Sequence, residues 1–567
     1  MISVFSCTVG IATILHADAF ASISSTASQK SKQLRRNKRS GYGRVSPLLS
    51  SKAITTPLDP SNQNIANETN IPHNDINPND SQLGAWLPLG SASSLTGLTP
   101  LQIRVCGIDL AVWHTPKTKN DREQPEFSAF IDACPHKLAP LSQGRIDPKT
   151  NCLQCPYHGW EFDSDGALTN IPQLDKGRTI SGEMKKNGAA TSLPVYASGD
   201  LLFVFIPSGI CGESWPIERL PEMHYPYLRD GMDGGKTYFA RELPYSADFL
   251  IENFMDPAHI PFAHHSLQGT RDDGSPIEMG LVASNFTHVE ASFIDICNGK
   301  KRDGVLSFQR PAFFHFRTKV DNTNNTDTST NELSSSLENY RPNLQIYVTP
   351  IQPGKCRIFI QEFTVPFFPT FLSHAAFNRF LNSDTWLHNT ERTARMKRYD
   401  CNENVDNPTN KLGGPAAVGS ARAGKQPFVG LNYLFATKSD MGPSIFRKWW
   451  NEHLAAGPPE FFGPAPSTAF EAEAMSRKDQ TDPWTNHSRH CGKCRRALLV
   501  MKRLKSVSVG FAASVVVLAG GKNRPVVGIA AVLLGLGMNR FLEKLCTVIE
   551  GNDRKSDVLD RSVAAMK

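Results

Sequence analysis

Two short stretches of the chain pair a thiol with an imidazole: Cys134-Pro135-His136 and, further along, Cys155-Pro156-Tyr157-His158. Both read as loops, and each offers one sulfur and one ring nitrogen. Two thiolates on one iron and two imidazoles on the other are what a [2Fe–2S] cluster of mixed ligation requires. Neutral imidazoles in place of two thiolates make such a cluster less negative, so its potential rises enough to take electrons from a low-potential ferredoxin. Zinc fingers pair Cys with Cys and then His with His, which this spacing does not do. Cys152 with Cys155 makes a CxxC, but that pairing leaves both histidines idle.

A second constellation is Asp256-Pro257-Ala258-His259-Ile260-Pro261-Phe262-Ala263-His264-His265. Two histidines and one carboxylate on one face of Fe(II) leave positions open for dioxygen beside a substrate. On an ideal helix His259 and His264 point about 140° apart, so convergence on one ion needs a distorted helix. Pro257 and Pro261 supply that distortion. A third candidate is His487-Ser488-Arg489-His490-Cys491-Gly492-Lys493-Cys494. Cys491 and Cys494 form a CxxC flanked by basic residues, which favours thiolate and reads as a redox-active pair. A small zinc site using His487 or His490, or idle thiols, are the alternatives.

The residues around the first pair, Asp132 to Arg145 and Cys155 to Phe162, resemble the Rieske domain of plastid oxygenases that act on chlorophyll-type tetrapyrroles. That family includes pheophorbide a oxygenase, chlorophyllide a oxygenase, protochlorophyllide-oxidising relatives and the Rieske protein of the envelope import machinery. The gap between His136 and Cys155 is slightly longer than the family's usual one, at the turn Asp147-Pro148-Lys149-Thr150. The second constellation is similar to the family's D-x-x-H-x-x-x-x-H motif. The resemblance implies His259 and His264, rather than His265, as ligands of a mononuclear Fe(II). It also implies Asp256 as the carboxylate that links an iron-bound His to a Rieske His of a neighbouring subunit. The third ligand is expected at Asp384, with Glu391 and Asp400 as rivals; an acid that opens a helix otherwise serves the helix dipole. The CxxC resembles that of the pheophorbide a oxygenase and envelope Rieske branch, where it is linked to thioredoxin.

By resemblance the fold is α+β: an N-terminal all-β Rieske [2Fe–2S] domain, a helix-grip (START-like) catalytic domain with a curved antiparallel sheet, and a C-terminal hydrophobic hairpin. The implied activity is that of a ferredoxin-dependent monooxygenase, assembled as a homotrimer, that uses O2 to open the ring of pheophorbide a. Oxidation of a peripheral group of chlorophyllide or protochlorophyllide, hydroxylation of a linear catabolite, and a non-catalytic redox sensor of import are the alternatives. The resemblance runs from about Ala85 to Asn539, apart from two polar insertions near Asp321–Glu338 and Cys401–Gln426.

Strand-like runs position the first pair of loops: Leu101–Val105, Asp109–Trp113 and Leu201–Ile206. In the second half, Leu344–Val348 and Arg357–Val365 read as strands joined at Pro353-Gly354, and Ala375–Met396 reads as a helix. Phe308, Phe313, Phe314, Phe316, Phe359 and Phe363 lie on strand-like runs, where sheet core is the expectation and a cavity lining the alternative. The domain boundaries expected are 1–58 leader, 59–83 linker, 84–210 Rieske domain, 211–470 catalytic domain, 471–505 CxxC segment, 506–540 hairpin and 541–567 tail.

The chain has 567 residues, 12 cysteines and 61 Lys and Arg against 54 Asp and Glu, a formal charge of +7. That length suits several domains, and so few cysteines exclude a disulfide-stapled scaffold. Residues 1–58 hold eight of the bases and one acid, Asp18, leaving 53 of each sign in the rest. The charge is therefore an address and not a nucleic-acid surface: an apolar signal-like core over residues 4–15, then a Ser-, Lys- and Arg-rich, acid-free transit segment. Near the other end, Ser506–Gly521 and Pro525–Asn539 are uncharged and short for a bilayer, and read as a membrane hairpin in a plastid thylakoid or inner envelope. Lys493, Arg495, Arg496, Lys502, Arg503 and Lys505 precede it and favour a stromal catalytic body.

Overall fold

The computed structural model describes residues 84–95, 99–115, 127–207, 237–319, 340–362, 368–394, 435–453, 474–520 and 525–551. The leader, the linker up to residue 83, both insertions, Phe363 and Asp400 lie outside them.

The N-terminal unit is built from short strands: β1 (Gly84–Ser91), β2 (Leu101–Val105), β3 (Ile108–His114), β4 (Phe127–Ile131), β5 (Arg145–Ile146), β6 (Leu153–Gln154), β7 (Glu161–Phe162), β8 (Leu168–Asn170), β9 (Ser192–Leu193), β10 (Val195–Ser198) and β11 (Leu201–Pro207). They form three antiparallel sheets in the orders β1-β11-β10, β2-β3-β4-β9 and β5-β6-β7-β8. Successive side chains of a strand point to opposite faces. In β3 this sends Leu110 and Val112 into one core with Leu87 and Val204, and Ala111 and Trp113 into another with Phe130 and Phe162. The second core also takes in Cys134 and Cys155.

A larger antiparallel sheet follows: β12 (Tyr238–Leu243), β13 (Glu278–Ser284), β14 (His288–Cys297), β15 (Lys300–Gln309), β16 (Phe313–Lys319), β17 (Tyr340–Gln352) and β18 (Lys355–Gln361), in the order β12-β18-β17-β16-β15-β14-β13. Its alternation separates two faces. Phe239, Phe308, Phe314, Val348 and Ile358 point to helices α1 (Ala247–Phe254), α2 (Thr370–Asn382) and α3 (Met441–His453). Tyr238, Phe313, Tyr347 and Phe359 pack on Trp86, Phe203 and Phe205 of the N-terminal unit. The phenylalanines on these strands are core, as the strand pattern expects, and Phe316 packs against its edge.

One further contact locks the units together, and another ties the helices of the second unit. The β2–β3 turn has positive φ at both central residues, 50° at Cys106 and 81° at Gly107, the backbone that a tight hairpin needs. Their amides donate to Pro350 O at 2.9 Å and Ile351 O at 2.7 Å in β17. On the helical face, Gly442 allows α3 to meet the end of α1: a Cβ there would lie 2.0 Å from Met255 O.

Helices α4 (Gly492–Gly520) and α5 (Pro525–Glu550) close the described chain. Both are longer than their uncharged stretches, about 44 Å and 39 Å at 1.5 Å per residue. Their inner ends are packed: Leu498, Met501, Leu542, Cys546 and Ile549 bury against Trp484. Their outer ends cross closely, with a Cβ on Gly535 falling 2.6 Å from Ala512 Cβ, and present Val517, Leu518, Leu533 and Leu534 outward. Val526–Glu550 is long and apolar enough to cross a membrane, with mean hydropathy 1.5. Among the preceding bases, Lys502 pairs with Glu550 at 2.5 Å and Lys493 with Glu362 at 2.8 Å.

Candidate metal centres

The first pair of loops leaves β4 and joins β6 to β7. Each loop is closed by its own backbone: Cys134 N donates to Ala139 O at 2.9 Å, and Cys155 N to Trp160 O at 2.8 Å. Asp132 braces the first loop, accepting from Ser142 Oγ and Ser142 N at 2.6 Å each. Gly159, at φ 70°, turns the second, and Trp160 stacks on His136 with centroids 4.5 Å apart and planes 8° from parallel. The imidazoles of His136 and His158 lie 4.7 Å apart, centroid to centroid. Both sulfurs are buried, whereas His136 is exposed and His158 half-buried. Burial pushes the Cys134 thiol up to about 11, so a proton alone leaves it neutral and a metal is what makes it thiolate. All four residues named from the sequence meet here.

The second constellation is a 3-10 turn, Pro257–His259, running into a single helical turn, Ile260–Ala263. Asp256 caps it, accepting from Ala258 N at 2.9 Å through Oδ1. The prolines break the helix as expected, and the two Nε2 atoms of His259 and His264 come within 3.3 Å instead of diverging. Asp384 Oδ2 sits 3.3 Å from His264 Nε2. The helix expected over Ala375–Met396 is interrupted: α2 ends at Asn382, and 383–386 form the turn that aims Asp384 inward.

Second contacts fix the proton positions. His264 Nδ1 donates to Ser383 Oγ at 2.7 Å, and that hydroxyl donates to Phe380 O at 2.5 Å. His259 Nδ1 donates to Asp256 O. Both Nε2 lone pairs therefore face each other and a carboxylate, with no donor among them. Asp384 Oδ1 is buried with no hydrogen-bond partner. Two lone pairs and a half-satisfied carboxylate facing one point fit a divalent cation and little else. Burial lowers the His259 pKa, keeping that imidazole in the neutral form that ligates. Burial raises the pKa of Asp256 despite the nearby His259.

The rivals among the described residues have other partners. His265 Nδ1 accepts the Arg271 amide at 3.2 Å, and Glu391 accepts the Ser246 amide at 2.8 Å. Ser383 and Phe380, which stacks on His264 at 4.0 Å, were not legible as site residues in the sequence; proximity to Asp384 was the only signal. Cys491 and Cys494 lie apart from this centre, beside His487 and His374. His490 accepts from Arg489 Nε at 2.6 Å.

Residues 85–196 match the Rieske [2Fe–2S] domain family. Over 446 residues the chain is 27% identical to the chloroplastic pheophorbide a oxygenase of Oryza sativa subsp. japonica, covering 77% of each. The chain is a Rieske non-haem iron oxygenase. Similar relatives of this oxygenase include the chloroplastic flavonoid 8-hydroxylase 2 of Ocimum basilicum, 27% identical over 76% of this chain and 75% of that protein. The chloroplastic protochlorophyllide-dependent translocon component 52 of Arabidopsis thaliana is also 27% identical, over 74% of each. The oxygenase's cofactors are a Rieske cluster and a mononuclear non-haem iron. The first fits Cys134, His136, Cys155 and His158, and the second fits His259, His264 and Asp384.

Proposed function

We propose that this oxygenase is a ferredoxin-dependent monooxygenase of chlorophyll-derived tetrapyrroles, and that its reaction is the ring opening of pheophorbide a. The observation that carries the reading is the inward-facing set of His259, His264 and Asp384 in a chain whose relatives, over 75–77% of its length, include pheophorbide a oxygenases. Fe(II), when bound there, supplies the open coordination positions at which dioxygen is reduced beside the substrate. One oxygen atom enters the substrate and the other leaves as water, with electrons from reduced ferredoxin.

The chain's own residues divide the remaining work. Cys134 and Cys155, in the apolar core, would hold one iron of a cluster, and the more exposed His136 and His158 would hold the other, where an electron partner can approach. Asp256 O and Ser383 keep His259 and His264 in the tautomer that offers Nε2. The half-exposed Asp256 carboxylate suits a bridge to a cluster histidine of a neighbouring subunit in a homotrimer. The leader's composition and the chloroplastic relatives support a plastid address. The apolar outer ends of α4 and α5 support anchorage in a plastid membrane, with the catalytic body on the stromal side.

A second reading, oxidation of a peripheral protochlorophyllide or chlorophyllide group, is favoured by the equal identity to the protochlorophyllide-dependent relative. A non-catalytic import sensor has no use for a second iron set. The test is anaerobic reconstitution of the full chain, followed by reduced ferredoxin, labelled dioxygen and a panel of tetrapyrroles with product mass analysis. Label in a ring-opened product from pheophorbide a supports the proposal. Label only in chlorophyllide or protochlorophyllide products replaces it with the second reading, and no oxidised product at all points to the sensor.

A further inference from the structure

We propose that His374, His487, Cys491 and Cys494 form a structural zinc site, a third metal centre separate from the two iron centres. The four donor atoms lie within 4.8 Å of one another. His374 Nδ1 is 3.0 Å from His487 Nε2, 3.2 Å from Cys494 Sγ and 3.6 Å from Cys491 Sγ. His487 Nε2 is 3.3 Å from Cys494 Sγ. A tetrahedral zinc with Zn–N of about 2.0 Å and Zn–S of about 2.3 Å has edges of roughly 3.3 to 3.8 Å, so the cluster is close to that shape before any ion is added.

The outer hydrogen bonds say which atoms face inward. His374 Nε2 is bonded to Glu362 Oε1 at 2.8 Å, and His487 Nδ1 donates to Ala240 O at 2.6 Å. Each ring thus carries its proton on the outer nitrogen and turns a lone pair to the centre. A carboxylate or carbonyl behind each ligating histidine is the usual support of a metal-bound imidazole. Two lone pairs 3.0 Å apart need a shared cation or a proton. A Cys491–Cys494 disulfide would remove the thiol protons and leave both rings without a donor. With zinc and two thiolates the centre is neutral, and the remaining carboxylate, Glu362, is matched by Lys493 Nζ at 2.8 Å.

Burial points the same way. His374, His487 and Cys494 are almost fully buried, at 1%, 2% and 1% exposure, so a thiol-exchange partner has access only to the half-buried Cys491. All four positions are filled by protein, as in closed structural sites, and a Cys2His2 set selects zinc over magnesium or calcium. The ligands come from α2, from the turn Trp484–Ser488 and from the start of α4. The site therefore ties the start of α2, whose far end leads to Ser383 and Asp384, to the segment that enters the hairpin.

The test is elemental analysis of the full-length protein purified in detergent under reducing conditions. One zinc per chain is expected beside the iron, and it should be released by a mercurial thiol reagent into a colorimetric chelator. Cys494→Ser and His374→Ala should lose the zinc while keeping the Rieske absorption and electron paramagnetic signal. His374→Cys, which restores a four-ligand set, should retain it. Cobalt-grown protein should show tetrahedral cobalt–thiolate bands that Cys494→Ser abolishes. Zinc well below one per chain in protein grown with added zinc, with Cys491 and Cys494 recovered as a reversible disulfide, would overturn the proposal in favour of a redox pair.

Discussion

At the scale of single residues, the mononuclear centre depends on which atom of each ring carries a proton. Asp384→Ala removes the carboxylate and leaves two facing lone pairs, so iron should fall from about three to about two per chain, with the Rieske spectrum intact and oxygenation abolished. Unchanged iron and turnover would refute the assignment. Ser383→Ala is a subtler change. It removes the acceptor that fixes the His264 tautomer, and loss of such an outer partner costs about 10- to 100-fold in metal affinity or activity. Iron titration of the apo-protein reads it directly, and Ser383→Thr, which keeps a hydroxyl, should restore most of the binding. The ligand residues were legible because thiol, imidazole and carboxylate at fixed spacing have few other uses. Ser383, Phe380 and His374 were not, since a serine, a phenylalanine or a single histidine in a helical run carries no chemical signature until the fold brings it to a ring.

At the scale of elements, strands and helices appeared in the sequence where their periodicity was clean. β2, β3, β11 and the Pro353-Gly354 hairpin lie where alternation and turn residues put them. The sequence over Ala375–Met396 predicts one continuous helix because nothing local interrupts it; the turn at 383–386 comes with the tertiary contacts of Ser383 and Asp384 to His264. Pairing between strands also rests on charges invisible to periodicity. Glu242 in β12 meets Lys355 at 2.6 Å and Arg357 at 2.7 Å in β18, and Arg357 donates to Leu89 O at 3.1 Å in β1. Burial alone would raise the Glu242 carboxyl, but Arg357 and Lys355 outweigh it and hold it at about 2. A lowered folded-state pKa stabilises above the unfolded value and is lost as pH falls towards the folded one. Glu242→Gln should thus cost about 3 kcal/mol at pH 7. The gap in denaturant midpoint between wild type and variant should narrow between about pH 4.5 and pH 2. A gap independent of pH across that window would contradict the charge-based account.

At the scale of the whole molecule, the hairpin has a packed inner half and an exposed apolar outer half. Its inner half belongs to the catalytic body through Trp484, Leu498 and Ile549, and its outer half exposes Leu518 at 72% and Leu534 at 75%. On the proposed membrane anchorage, replacing Val517, Leu518, Leu533 and Leu534 together by Gln removes apolar area that the body leaves uncovered. Each such side chain is worth about 1.5–3 kcal/mol on burial, so binding to vesicles of plastid lipid composition should fall at least 100-fold in flotation assays. Cluster absorption and iron content should be unchanged; retained flotation would show that the anchor lies elsewhere.

The buried guanidinium of Arg241 has a practical consequence for anyone shortening this chain. It donates to Asn378 O at 2.7 Å and Asn382 Oδ1 at 2.5 Å on α2, and to Gln480 O at 3.3 Å. Burial already depresses it to about 10. The segment around Gln480 is therefore packed into the catalytic body rather than trailing from it. A form cut at residue 470 would take away the Gln480 carbonyl and leave the guanidinium only its two acceptors on α2, a loss on the order of 1.5–3 kcal/mol. Solubilisation is better sought by repainting the tip of the hairpin than by amputation.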